Sequence, residues 1–279
     1  MIEVRPTATC AEKRLVVRAS RAAAQRNVGR TFPSLIHRRL RLTLGYRGTR
    51  YAGWQIQPHN PTIQREIEAV IKQVAQEDMH IIGAGRTDTG VHALGQVATF
   101  VTTSSVSAAE WLRAFNGLLP DDITVLSVEA VADDFHARFL ARSKLYRYRI
   151  LLQANRSALE RHRAWQIPYK LDVTAMQAAA GCLIGKHDFS SFQGSPTDTK
   201  NPVCHVTRLE IIHSGELIIE IEANRFLKQM VRSIVGTLVE IGRGKLAVGA
   251  MPEILAARDR TKAGPTAPPQ GLYLVRVDY

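Results

Sequence analysis

The sequence predicts an α+β fold of two tandem halves, each of the ferredoxin-like βαββαβ type. Apolar patterns of period two and period 3.6 alternate along the chain, and the order β-α-β-β-α-β occurs twice. A length of 279 residues is enough for two modest cores, whose sheets are either separate or merged. In the first half, residues 39–46 set Leu40, Leu42 and Leu44 on one side of a strand. Asn60-Pro61 reads as a cap followed by a first-turn proline, and Ile63, Ile67, Val70, Ile71 and Val74 then share one helical face. Residues 79–82 and 96–101 read as strands flanking a glycine-rich loop. Ser107 and Glu110 form a capping box for a helix carrying Trp111, Leu112, Phe115 and Leu119. Residues 123–131 complete the unit.

In the second half, residues 142–152 read as a strand, and Asp172 caps a helix through Met176, Ala179, Ala180 and Leu183. Residues 207–213 and 216–223 form a hairpin around Ser214-Gly215. Residues 226–241 read as a long helix with Met230, Ile234 and Leu238 in register. A short helix begins near Pro252, and residues 272–277 close the pattern as a strand.

The chain carries a net charge of +12 with a pI of about 10, a balance suited to a polyanionic partner. Residues 1–39 hold nine Lys/Arg against Glu3 and Glu12, a net of +7. Residues 1–38 therefore read as a basic, disordered extension, with an organellar presequence or a mistaken start as alternatives. The three cysteines, Cys10, Cys182 and Cys204, have no disulfide or zinc spacing, and the histidines show no metal grouping. No apolar run approaches a membrane span. A reduced, cytoplasmic setting is expected.

Residues 83–95 hold four glycines, with Arg86 and Asp88 two residues apart. In an extended segment these two side chains point the same way and can pair. The plain reading is a solvated turn in which Asp88 caps a backbone amide. Dinucleotide and P-loop patterns cannot be laid on the loop, and Gly242-Arg243-Gly244-Lys245 has Leu246 where a magnesium-binding hydroxyl belongs. Asp88-Thr89-Gly90 matches the core of an aspartic protease, but that chemistry needs a second carboxylate sharing a proton. A lone catalytic carboxylate is the remaining reading.

Gly85-Arg86-Thr87-Asp88-x-Gly90-Val91-His92-Ala93 resembles the signature of the TruA family of tRNA pseudouridine synthases. Further matches stand in family order: Tyr51-Ala52-Gly53-Trp54-Gln55, Asn116-Gly117-Leu118-Leu119-Pro120 and Phe135-His136-Ala137-Arg138-Phe139. After them come Ser143-Lys144-Leu145-Tyr146-Arg147-Tyr148, Phe189-Ser190-Ser191-Phe192, Asn224-x-Phe226-Leu227-x-x-Met230-Val231-Arg232 and Gly271-Leu272-Tyr273-Leu274. The similarity covers residues 39–279.

The resemblance implies two α+β halves, residues 39–141 with the catalytic loop and residues 142–279, with the active site in the cleft between them. It implies an isomerase that converts uridine to pseudouridine at positions 38, 39 and 40 of the tRNA anticodon arm. A homodimer is implied, and no cofactor or metal. Asp88 would be the catalytic carboxylate, acting at C1′ or C6 of the target nucleoside. Arg86 would pair with Asp88 and fill the space left by the displaced base, and Tyr146 would stack on the target base. Arg138, Arg142 and Lys144, together with Arg147 and Arg149, form a basic run with interleaved aromatics beside this site, which favours phosphate contact. Lys228 and Arg232 are weaker candidates for RNA contact, and Arg232 can instead pack structurally. One departure is Tyr46-Arg47-Gly48, where the family usually has Tyr-Asp-Gly. The rival reading is a catalytically silent tRNA-binding protein of the same fold.

Overall fold

A sheet of ten strands forms the centre of the computed structural model, which describes residues 37–197 and 199–279. Its main path runs β4-β1-β3-β10-β5-β9-β8-β7, with β2 paired to β3 and β6 to β5. The strands are β1 (Arg38–Tyr46), β2 (Ile82–Gly83), β3 (His92–Thr102), β4 (Ile123–Val131), β5 (Ser143–Leu152), β6 (Trp165–Ile167), β7 (Gly185–Asp188), β8 (Val203–Ser214), β9 (Glu216–Ala223) and β10 (Leu272–Asp278). Five α-helices accompany them among the described residues: α1 (Ile63–Ala75), α2 (Ala108–Leu118), α3 (Val173–Ala180), α4 (Met230–Gly242) and α5 (Ala250–Ala257). The fold is mixed α/β, and the two expected sets of strands share one sheet.

The alternation in β1 works as read: Leu40, Leu42, Leu44 and Tyr46 are buried and their neighbours are half-buried. Opposite them, Phe100 of β3 meets Trp111 and Phe115 of α2 edge-on, at 5.3 and 6.3 Å between ring centres. Aromatic pairs of this kind contribute roughly 0.5–1.5 kcal/mol each beyond their burial. The capping box of α2 is present, with the Ser107 and Glu110 side chains each accepting from the other's backbone amide. Asp172 caps α3 through the Ala175 amide. Ser214-Gly215 forms the β8–β9 turn, with Gly215 at φ +78°.

Helix α1 begins later than Asn60-Pro61 implies. Thr62 is its N-cap, while the Pro61 carbonyl accepts from the Ala52 amide and belongs to the preceding loop. Helix α4 also starts late, because Gln229 adopts φ +58° and ends any helical run through Phe226. Strand β3 starts at His92 rather than Gln96, so part of the glycine-rich motif is strand. Strand β1 begins at Arg38, whose Nη2 donates to the Val106 carbonyl at 2.7 Å. The expected basic arm otherwise lies outside the described residues.

Two features position the site. Strands β3 and β10 pair in parallel over only Tyr273↔His92 and Leu274↔Ala93. Helix α4 is buried on nearly every side, as its Val/Ile/Leu content demands. Gly236 allows the 263–269 segment to cross that helix: a Cβ there would lie 1.7 Å from the Pro265 carbonyl oxygen.

Candidate active site

The glycine-rich loop bends at Ala84–Gly85 and turns at Thr89–Gly90, where the Val91 amide donates to the Asp88 carbonyl. Its inner side is fixed. The Thr87 side chain is buried and its hydroxyl meets the Tyr46 hydroxyl at 2.8 Å. The Trp54 amide donates to the Thr87 carbonyl at 3.1 Å, and Gln96 Nε2 donates to the Gly85 carbonyl at 2.8 Å. Gly53, at φ +95°, lies so close beneath that a Cβ would fall 2.5 Å from the Thr87 oxygen. The stretch Tyr51-Ala52-Gly53-Trp54 is thus the floor on which the loop rests.

Turned the other way, the Asp88 carboxylate is 31% exposed and accepts from Arg232 Nη1 at 3.1 Å. Arg232 is held in turn by Nε donating to the Ala267 carbonyl at 2.8 Å. This arginine lies in the first turn of α4, where the helix dipole disfavours a cation. The adjacent carboxylate offsets that cost, so loop and helix fix each other.

Tyr146 lies on β5 with only 7% of its surface exposed. Its ring meets Phe226 edge-on at 5.0 Å. Burial, reinforced by nearby Tyr46 and Asp88, pushes its hydroxyl far above the ordinary phenol range, so it is a neutral phenol at physiological pH. Tyr148, two residues along, donates instead to the Pro268 carbonyl at 2.6 Å and braces the same 263–269 segment. His92 closes the loop's far end: Nδ1 accepts from the Gly48 amide at 3.0 Å, and Nε2 donates to the His162 carbonyl at 2.9 Å. Burial lowers its pKa, which favours the neutral ring those two bonds require.

Asp88, Arg232 and Tyr146 are therefore brought together. Arg86 is exposed, and the ion pair expected between Arg86 and Asp88 is made by Arg232 instead. The partner comes from far along the chain: Arg232, anchored by the Ala267 carbonyl, reaches Asp88 from the first turn of α4. Arg138 and Arg142 are exposed and Lys144 is half-buried near the loop. Arg147 and Arg149 depart from the expected basic run. Arg147 pairs with Glu220 at 2.7 Å, and Arg149 with Glu216 at 2.8 Å and Glu160 at 3.0 Å. Strand alternation turns these odd-numbered residues away from Lys144 and Tyr146. Sequence reading missed Tyr46 and Phe226 as supports of the site. Their signals were Tyr46 continuing the inward alternation of β1, and Phe226 lying inside a matched motif.

A carboxylate clamped by arginine beside a buried neutral phenol suits covalent or acid–base work on a group entering from solvent. A family model described as tRNA pseudouridine synthase matches residues 44–140 and 179–279. Those spans include Arg86, Asp88, Arg138, Phe226 and Arg232, while Tyr146 falls between them. The chain belongs to this family of isomerases. It is 46% identical over 243 residues to a tRNA pseudouridine synthase A of Thermoanaerobacter sp. strain X514, covering 87% of this chain and 100% of that one. It is 45% identical to the protein of that name from Acetivibrio thermocellus, over 87% of this chain and 100% of the relative. With that of Myxococcus xanthus the identity is 44%, over 86% and 92% respectively.

Proposed function

We propose that this protein isomerises uridine to pseudouridine in the tRNA anticodon arm, at positions 38, 39 and 40, with Asp88 as the catalytic carboxylate. The observation that carries the reading is the Asp88–Arg232 pair at 3.1 Å beside the buried, neutral Tyr146. The reaction breaks the C1′–N1 bond, turns the base and joins C1′ to C5. The C5 proton leaves and N1 gains one, so the product is an isomer of the substrate. Asp88 acts at C1′ or C6 of the nucleoside, with Arg232 pairing with its carboxylate at 3.1 Å and aiming it. The target must first leave the stack, which costs a few kcal/mol. Tyr146 offers its ring to the displaced base and its hydroxyl near C5. Arg86, exposed at the loop's mouth, fills the space that base vacates. Arg138, Arg142 and Lys144 meet phosphates.

The strand orders support two tandem ferredoxin-like units, residues 39–141 and 142–279. One runs β4-β1-β3 with β2 on β3; the other runs β10-β5-β9-β8. A homodimer working in the cytoplasm completes the proposal. Tritium release from tRNA labelled at uridine C5, run beside a filter-binding titration, tests it. Release from anticodon-arm uridines is expected. Binding without release from any tRNA would make the protein a silent binder.

A further inference from the structure

We propose that Arg138, Lys144 and Arg225, with the exposed ring of Phe139, form a subsite for one nucleotide flanking the target uridine, holding its phosphate on the cations and its base on the ring. This rests on the reading above that the protein acts on tRNA.

Lys144 is two residues before Tyr146 on β5, on the same side of the strand. Its stem lies against the catalytic loop: the position a Cβ would take on Gly85 is 3.5 Å from Lys144 Cε and 3.8 Å from Nζ. In register, Lys144 faces Ala223, so the chain leaving β9 carries Arg225 past it. Arg138 reaches the same region from the segment after β4. Burial, together with the charges of Arg138 and Arg225, lowers the proton affinity of Lys144. Among the described residues none of the three pairs with a carboxylate. The acidic groups closest in register, Glu222 and Asp278, are engaged by Ser143 and Arg276. Cations gathered without a counter-charge beside a reaction site define a place for an anion, and a phosphate of RNA is the anion this substrate carries.

Phe139 completes the subsite. It is 74% exposed, although an aromatic ring of this size is normally buried. It is also held firmly. His136 Nδ1 accepts from both the Arg138 and Phe139 amides, at 3.1 and 3.2 Å, and the Leu140 amide donates to the His136 carbonyl. The His136 ring lies 4.2 Å from that of Phe139, and the Arg138 guanidinium sits 5.8 Å above it. A fixed aromatic beside unpaired cations is the arrangement that stacks single-stranded bases. Tyr146 is taken by the target, so Phe139 serves a neighbour.

The test uses tRNAs assembled by ligation, each with one abasic or one methylphosphonate nucleotide at a position flanking the target. Binding is read by filter titration and mass by light scattering. Phe139→Ala is expected to weaken binding of unmodified tRNA about tenfold. One abasic position should cost the wild type the same factor and cost Phe139→Ala nothing more. Lys144→Gln should lower the salt dependence of binding, and one methylphosphonate position should make that variant and the wild type alike. Melting temperatures of both variants should match the wild type. The proposal is overturned if the losses multiply at every position. It is also overturned if Phe139→Ala binds tRNA normally but loses dimer mass, which would make the ring a protein contact. Tritium release by the wild type on unmodified tRNA is read separately, so a failure of the enzymatic reading is not confused with a failure of the subsite.

Discussion

Basic side chains fall into two sets that differ in one respect, whether a carboxylate is provided for them. Arg147, Arg149, Arg208 and Arg276 lie on or across β5, β8, β9 and β10, and each is matched by Glu216, Glu220 or Glu222. Arg138, Lys144 and Arg225 gather beside the Asp88 loop and have no carboxylate partner among the described residues. In the sequence, Lys144, Arg147 and Arg149 are one charge run. In the fold, alternation along β5 sends the odd positions to a cross-strand ion-pair ladder and leaves the even one at the site. A charge run is thus not a unit of function. Its members divide according to which face of the strand they occupy.

The largest effect should come from the one carboxylate supplied on the site side. Asp88→Asn keeps shape but puts a far poorer nucleophile and base at this position, so the single-turnover rate should fall by at least about a thousandfold, roughly 4 kcal/mol of barrier. Folding and tRNA affinity should move by no more than about 1 kcal/mol. An unchanged tritium-release rate would remove Asp88 from the chemistry.

The ladder should instead answer in stability. Glu220 is only 6% exposed and is shared by Arg147 at 2.7 Å and Arg208 at 3.1 Å. Arg147→Ala leaves that buried carboxylate with one partner, and urea unfolding should show a loss of about 1–3 kcal/mol. Lys144→Gln removes a cation from others of its own sign and should lose nothing in the same measurement. Equal losses for the two variants would erase the distinction between the sets.

A smaller effect is expected from the N-terminal segment. Residues 1–36 carry seven Lys/Arg against two Glu. Removing them should weaken tRNA binding at low salt, with the difference vanishing as salt rises. Single-turnover rates at saturating enzyme should be unchanged. A large fall in rate would give the segment a part in the site.

The smallest effect concerns His92. Its folded-state pKa is lowered, chiefly by burial, while the unfolded chain titrates near about 6.5. Between those two values the unfolded state binds more protons, so this contribution is fully present above about 6.5 and declines as pH falls below it. His92→Gln should flatten that part of a stability–pH curve. If the slope below about pH 6.5 is the same in wild type and variant, the assignment fails.

Much of this was legible in the residues. The burial alternation of β1, the capping box of α2 and the Ser214-Gly215 turn follow from local chemistry, and local chemistry is what a sequence displays. Asp88 was singled out differently: local chemistry alone read its loop as a solvated turn, and only the match of the whole motif to a family signature made it a candidate. What could not be read was long-range. Arg232 is 144 positions from Asp88, and no local pattern joins them. Strands β6 and β7 have only three and four residues and exist through pairing with β5 and β8. The misplaced start of α4 has a tertiary cause as well, since Gly194 donates its amide to the Lys228 carbonyl just before Gln229 turns.

The place of β10 carries a consequence for how the chain reaches this state. It is the last of the ten strands in chain order, yet it lies mid-sheet between β3 and β5. During synthesis the other nine emerge first, and until β10 arrives β3 and β5 each present an open edge to any neighbouring nascent chain. The Pro268 and Ala267 carbonyls that brace Tyr148 and Arg232 arrive immediately before that strand. The Asp88–Arg232 pair therefore gains its brace only as the last strand is made, and a ribosome that stops short of residue 272 releases two open edges along with it.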